Sequence, residues 1–164
     1  MTRLRLVGAW VGLQLLFFAG WAMREEGRLT SGASILVKVV PVDPRDLLRG
    51  QYVRLGYRFS RPWDSTAAKE RVPAGQIVWV VLRPEGEFHE PQRVSRSRPS
   101  GLGPGEVAIQ GRASPFRYEF GVERYFVRER TATPRVEDLT VRLRVDPYGV
   151  ARIERVYLKG VPWP

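Results

Sequence analysis

The chain has 164 residues and carries 27 lysines and arginines against 17 aspartates and glutamates, a formal charge of +10. A hydrophobic fraction of 43% and a charged fraction of 27% are those of a globular chain, and they exclude one that is disordered throughout. With no cysteine there are no disulfides, iron–sulfur clusters or thiol nucleophiles, and a single histidine, His89, excludes multi-histidine metal centres and any Ser–His triad not built on it.

The first element is Leu6–Met23, LVGAWVGLQLLFFAGWAM, with no charge and one polar side chain, Gln14. At 1.5 Å per helical residue it spans about 27 Å, close to the thickness of a hydrocarbon core, and it lacks the polar stripe of a soluble core helix. Arg3 and Arg5 precede it, and the charges of Arg24, Glu25, Glu26 and Arg28 after it nearly cancel. The positive-inside rule then keeps the N-terminus in the cytoplasm and exports the rest of the chain beyond Met23. Gly20 and Ala22 offer small residues for a cleavage site but flank bulky Trp21, so an uncleaved anchor is the preferred reading and a cleaved signal the alternative. The expected organisation is a cytoplasmic N-terminus at 1–5, a membrane anchor at 6–23, a tether at 24–34 ending in GRLTSGAS, and one extracytoplasmic domain at 35–164. Membrane lipid is thus the first expected partner, through residues 6–23.

From Ile35 onward strand follows strand. Ile35–Val42 is β-branched and apolar. Tyr52–Ser60 alternates, with Val53, Leu55, Tyr57 and Phe59 on one face and Arg54 and Arg58 on the other. Gln76–Arg83 is apolar on both faces, the mark of a central strand. Glu106–Arg112 and Phe116–Val127 come next, the second with Phe116, Tyr118, Phe120 and Val122 on one face. Leu139–Asp146 points Val141, Leu143 and Val145 inward and Arg142 and Arg144 outward. Asp146-Pro-Tyr-Gly is a turn into Val150–Leu158, where the alternation slips at Glu154-Arg155 and predicts a bulge. Asp43–Leu48 and Thr133–Asp138 have room for one helical turn each, Asp43 serving as N-cap before Pro44. Arg93–Gly105, rich in Ser, Arg, Pro and Gly, reads as a mobile loop. The fold class is all-β: a single β-rich domain, sandwich or partly open barrel, after one transmembrane helix.

Two runs stand out. Gly50-Gln-Tyr-Val-Arg-Leu-Gly-Tyr57 fits G-x-Y-x-x-L-x-Y, and Phe120-Gly-Val-Glu-Arg-Tyr-Phe-Val127 is similar to Y-G-I-E-R-Y-F-V. In this order, after an N-terminal span and before a V-D-x-x-G hairpin, they resemble the GDYXXLXY family of bacterial membrane-anchored proteins over nearly the whole chain. The resemblance implies a single-span protein with an exported domain, associated with multi-pass membrane proteins. Gln51 stands where the family name carries Asp, so any acid–base or metal role of that carboxylate is missing here. On the residues themselves, Leu55 and Tyr57 read as core, while Tyr52 points the other way and its hydroxyl needs a polar partner or solvent. Glu123 and Arg124 read either as an ion pair covering aromatic core or as part of a recognition surface. The candidate interaction surface is Gly50, Tyr52, Tyr57, Glu123, Arg124 and Tyr125, with Tyr52, Glu123 and Arg124 expected on adjacent strands.

An enzymatic alternative is a signal-peptidase-like envelope hydrolase with a serine–lysine pair, or an inactive relative of one. Its motif fits poorly: with Pro44 set on the motif proline, the nucleophile position falls on Pro41. Only Lys38, Lys69 and Lys159 are available as bases. Glu85, Glu87 and Glu90 around His89 read as a solvated hairpin tip and not as a metal site. No phosphate-binding glycine loop leads from a strand into a helix. No catalytic, metal or cofactor residue is assigned, and no cofactor is expected. Arginine supplies 24 of the 27 basic residues. The arginines alternate along outward strand faces, with one cluster at Arg93, Arg96 and Arg98, and on an exported domain nucleic acid is not the expected partner. The expectation is an accessory or interaction module without catalysis, beside a multi-pass membrane protein.

Overall fold

The computed structural model describes residues 2–30, 32–41, 52–61, 72–128 and 134–163. It divides into an N-terminal helical unit and a β unit beginning at Ala33. Helix α1 runs Thr2–Thr30, and its Leu6–Gly27 stretch is long and apolar enough to cross a membrane. The expected tether is mostly helical. Arg24, Glu25, Glu26, Arg28 and Leu29 are good helix formers, so the helix outlasts its apolar run and ends at Thr30.

The β unit is mostly strand, as expected for a β-rich domain after one helix. The strands are β1 (Ala33–Lys38), β2 (Tyr52–Arg54), β3 (Ile77–Glu85), β4 (Phe88–Ser95), β5 (Val107–Ala113), β6 (Tyr118–Glu119), β7 (Arg124–Phe126), β8 (Leu139–Val145), β9 (Ala151–Leu158) and β10 (Val161–Pro162). They form two four-stranded sheets, ordered β1-β8-β9-β10 and β4-β3-β5-β6, and a two-stranded ribbon, β2-β7. Every pairing among the described residues is antiparallel. The sheets approach where β1 lies beside β4, with Lys38 Nζ 4.6 Å from the centre of the Phe88 ring. Side chains from all three sheets close one core, among them Ile35, Val53, Val80, Ile109, Tyr118, Leu143 and Val156.

Several strands match the sequence pattern closely. Val141, Leu143 and Val145 are buried on β8 while Arg142 and Arg144 face out. Asp146 Oδ1 accepts the Tyr148 and Val150 N–H groups at 2.8 and 2.9 Å, an Asx-type turn that closes the hairpin. The slip at Glu154-Arg155 is a bulge: Arg142 pairs Arg155, Leu143 pairs Ile153, and Glu154 is the extra residue. β3 is central, with Val78–Leu82 buried on both faces. Val78, Val80 and Leu82 enter the common core. On the other face, the Trp79 ring lies against Gly149 of the β8–β9 turn and 5.9 Å from the Arg98 guanidinium carbon.

Other elements depart from the pattern. Tyr52–Ser60 is not one strand: β2 stops at Arg54, Gly56 bridges Val40, and Arg58–Ser60 turns as a short 3-10 helix. Its inward face matches the alternation, with Val53, Leu55, Tyr57 and Phe59 all buried. Phe116–Val127 breaks into β6 and β7 at Gly121, whose φ of 81° is costly for any residue with a Cβ. Phe116 is 77% exposed and leaves the face that alternation gives it, because Ser114 and Arg117 close a tight turn with Phe116 at its tip. In Arg93–Gly105, β4 continues to Ser95, and the remainder is tied down. Arg98 donates to the Pro147 carbonyl at 2.6 Å, and Gly103 N–H donates to Glu106 at 2.9 Å. The basic cluster is thus partly spent on holding this loop to its neighbours. Val136–Asp138 makes the expected single turn. The Asp43–Leu48 turn, Gly50, Gln51 and Thr133 lie outside the described residues.

Candidate interaction site

The two motif runs meet as one ribbon. β2 and β7 pair Tyr52 with Phe126, Val53 with Tyr125 and Arg54 with Arg124. The register follows from burial. Val53 is 1% exposed and Tyr125 packs against the core, so both strands must turn their alternate residues outward. The outward face carries Tyr52, Arg54, Arg124 and Phe126. The Tyr52 and Phe126 ring centres are 6.1 Å apart, and the Arg124 guanidinium carbon lies 5.8 Å from the Tyr52 ring centre. Leu55 N–H donates to the Glu123 carbonyl at 2.8 Å, which makes Arg54–Arg124 a closer, non-hydrogen-bonded pair. Like charges directly opposite on an antiparallel pair cost roughly 0.2–1 kcal/mol.

Beside this face lies an open cleft of about 390 Å³, lined by Tyr52, Arg54, Arg117, Glu119, Gly121, Glu123 and Arg124. Arg117 Nε meets Glu119 Oε1 at 3.0 Å. Glu123 Oε1 accepts the Phe120 N–H at 2.6 Å and so locks the turn around Gly121 that separates β6 from β7. Glu123 is therefore a turn-holding residue as well as a wall of the cleft.

Tyr57 belongs to a different layer. It is 1% exposed, stacks on Phe59 with ring centres 4.8 Å apart, and donates its hydroxyl to the Val122 carbonyl at 2.8 Å. Burial pushes its phenol well above the ordinary value, and the nearby Glu123 charge adds in the same direction, so the hydroxyl stays protonated as a donor. As a surface residue Tyr57 is a misassignment, because the face it shares with Val53 and Leu55 is the core face. Tyr125 also points inward, half-buried, with its ring centre 5.9 Å from that of Trp163. Of the candidate surface, Tyr52, Glu123 and Arg124 come together as expected, Tyr57 and Tyr125 support them from beneath, and Gly50 lies outside the described residues. Arg54, Phe126, Arg117 and Glu119 complete the site. The alternation of Tyr52–Ser60 marks Arg54 as outward, but only the β2–β7 pairing shows what it faces.

Among the described residues, those of the enzymatic alternative do not converge. Ser34 Oγ donates to Glu154 at 3.1 Å, and Lys38 lies four positions along the same strand, about 13 Å away at 3.3 Å per residue. Lys159 pairs with Asp138 at 3.6 Å. Ser31 and Lys69 lie outside the described residues. At the β3–β4 hairpin, Glu90 pairs with Arg58 at 3.2 Å and Glu85 accepts from Gln92 at 3.3 Å. Burial lowers the His89 pKa, with the Gly105 backbone opposing the shift. Among the described residues no three His, Asp or Glu side chains gather to hold a metal ion.

A family model described as GDYXXLXY protein matches residues 14–156. The chain belongs to the GDYXXLXY family. No curated protein and no solved structure matches it. In this GDYXXLXY protein the named positions divide by layer: the motif's first tyrosine, Tyr52, is on the outward face, while its leucine, Leu55, and last tyrosine, Tyr57, are core.

Proposed function

We propose that this GDYXXLXY protein is a membrane-anchored, extracytoplasmic interaction module without catalysis, presenting the outward face of the β2–β7 ribbon to a multi-pass membrane protein. One observation carries the reading. The two motif runs, far apart in the chain, pair to put Tyr52, Arg54, Arg124 and a 72%-exposed Phe126 on a single face. Aromatic and arginine side chains are the types enriched in protein interfaces, and a core needs neither placed outward. The charge pattern around α1 supports an N-terminus in the cytoplasm and an exported β unit, with α1 as an uncleaved anchor.

Copurification from gently solubilised membranes tests the interaction. The wild-type chain is expected to bring down a membrane protein that Phe126→Ala releases, with the melting temperature of the variant unchanged. Equal recovery by both chains would remove the ribbon face from the reading. For topology, a reporter active only outside the cytoplasm should work when fused at the C-terminus, and carbonate washing should leave the chain in the membrane. A soluble form beginning near Met23 would instead mean a cleaved signal.

A further inference from the structure

The outward ribbon face has a specific chemistry. Arg54 and Arg124 sit directly across the ribbon from each other, at the kind of antiparallel pair whose side chains come closest. Each guanidinium carries five N–H donors in a planar fork, more than a single neighbour takes up. Both line the cleft, and Arg124 is held over the Tyr52 ring. Such a pair fits an oxyanion that takes parallel N–H bonds from both sides. Glu119 and Glu123 line the same cleft, which disfavours a phosphate dianion and leaves room for a single carboxylate. Next along the face is the Tyr52–Phe126 pair, whose exposed Phe126 ring offers an apolar contact one residue pair away.

We propose that the Arg54–Arg124 pair is a carboxylate-binding site that takes an aspartate or glutamate side chain of the partner protein, with the apolar residue next to it packing on Tyr52 and Phe126. This inference rests on the interaction reading above and names what the face recognises. The carboxylate is held by both forks. The aromatic pair selects an acidic residue with an apolar neighbour over an isolated surface acid.

The test is a titration of the full-length chain in neutral detergent micelles with the blocked dipeptide acetyl-Asp-Phe-amide, following the arginine Nε–H resonances by NMR. Saturable shifts of Arg54 and Arg124 are expected, with acetyl-Asn-Phe-amide at least about tenfold weaker, because its amide cannot take two charge-assisted bonds. Arg124→Gln and, independently, Arg54→Gln should each weaken the Asp peptide by about tenfold or more while the β8–β9 amide resonances stay in place. Arg124→Lys should fall between, keeping the charge and losing the fork. Equal shifts with the Asp and Asn peptides, or none with either, overturn the inference. Inorganic phosphate moving the same resonances at lower concentration than the Asp peptide overturns the choice of carboxylate. Copurification separates this inference from the reading beneath it. A partner held equally by wild type and Arg124→Gln overturns the carboxylate site and leaves the interaction module standing. Peptide binding without any copurifying partner overturns the module and leaves the site.

Discussion

The β8–β9 hairpin and the β2–β7 ribbon are both antiparallel pairs in one domain, yet they are built in opposite ways. In the hairpin the strands are joined by five residues, Asp146 to Val150, that turn at Asp-Pro-Tyr-Gly, and β8 alternates between core and solvent. In the ribbon each strand has three residues, and the partners meet across a long excursion of chain. The hairpin's register is set by local turn chemistry and a clear apolar face. The ribbon's register is set only by what else the core contains: Val53 and Tyr125 must go in, so Arg54 and Arg124 are left side by side on the outside. The lesson is a division of labour, in which local pairing supplies stability and non-local pairing assembles the surface offered for recognition.

The largest effect should come from the hairpin. Leu143 is fully buried on β8, and Leu143→Ala should cost about 2–5 kcal/mol, read as a lower midpoint in urea at an unchanged slope. A cost below that range would mean that the hairpin is not the stabilising half of the comparison.

Gly149→Ala comes second. Gly149 has a φ of 87°, and an added Cβ would lie 2.4 Å from Trp79 Cζ3. The strain and the clash together should cost about 1–3 kcal/mol in a thermal melt. An unchanged melt would show that the β8–β9 turn does not press on the β3 face.

Tyr57→Phe probes the link between layers. Losing the hydroxyl strands the Val122 carbonyl beneath the ribbon, at about 1–2 kcal/mol. The expected signature is faster amide hydrogen exchange at Val53 and Tyr125 with little change at Val141. Uniform loss across both pairs would erase the distinction between them.

Arg124→Gln should leave stability within about 0.5 kcal/mol, since the side chain is exposed, while abolishing recovery of the partner. A clear fall in melting temperature would make Arg124 a structural residue and return the ribbon to the stabilising side.

The smallest effect is electrostatic. The Arg144 hydrogen bond at 2.9 Å holds the Glu154 carboxyl below its ordinary value, with burial opposing and Ser34 assisting. A depressed carboxyl contributes stability above its unfolded pKa of about 4.3, and that contribution fades as the pH falls through the lower folded value. Because the pair is largely solvated, Glu154→Gln should remove no more than about 0.5 kcal/mol at neutral pH, and the two chains should converge in stability in acid. A difference that grows toward low pH would give the shift the wrong sign.

The sequence by itself determined the apolar N-terminal helix, the β class of the rest, the alternation of β8, the Asp146 turn and the Glu154 bulge. Each rests on interactions among residues close in the chain, where periodicity and turn chemistry are sufficient causes. It also marked Tyr52, Glu123 and Arg124 as residues to bring together. The tertiary structure alone decided that Tyr125 faces inward, that Phe116 swings to a hairpin tip, and that Arg98 is drawn onto Trp79 and Pro147 to hold a loop that composition marks as mobile. It alone placed Arg54 opposite Arg124. An alternating pattern says which residues share a face of a strand, but which strand lies across from it is fixed by how all the apolar faces close one core. That closure depends on contacts between residues too distant in sequence to leave a local mark.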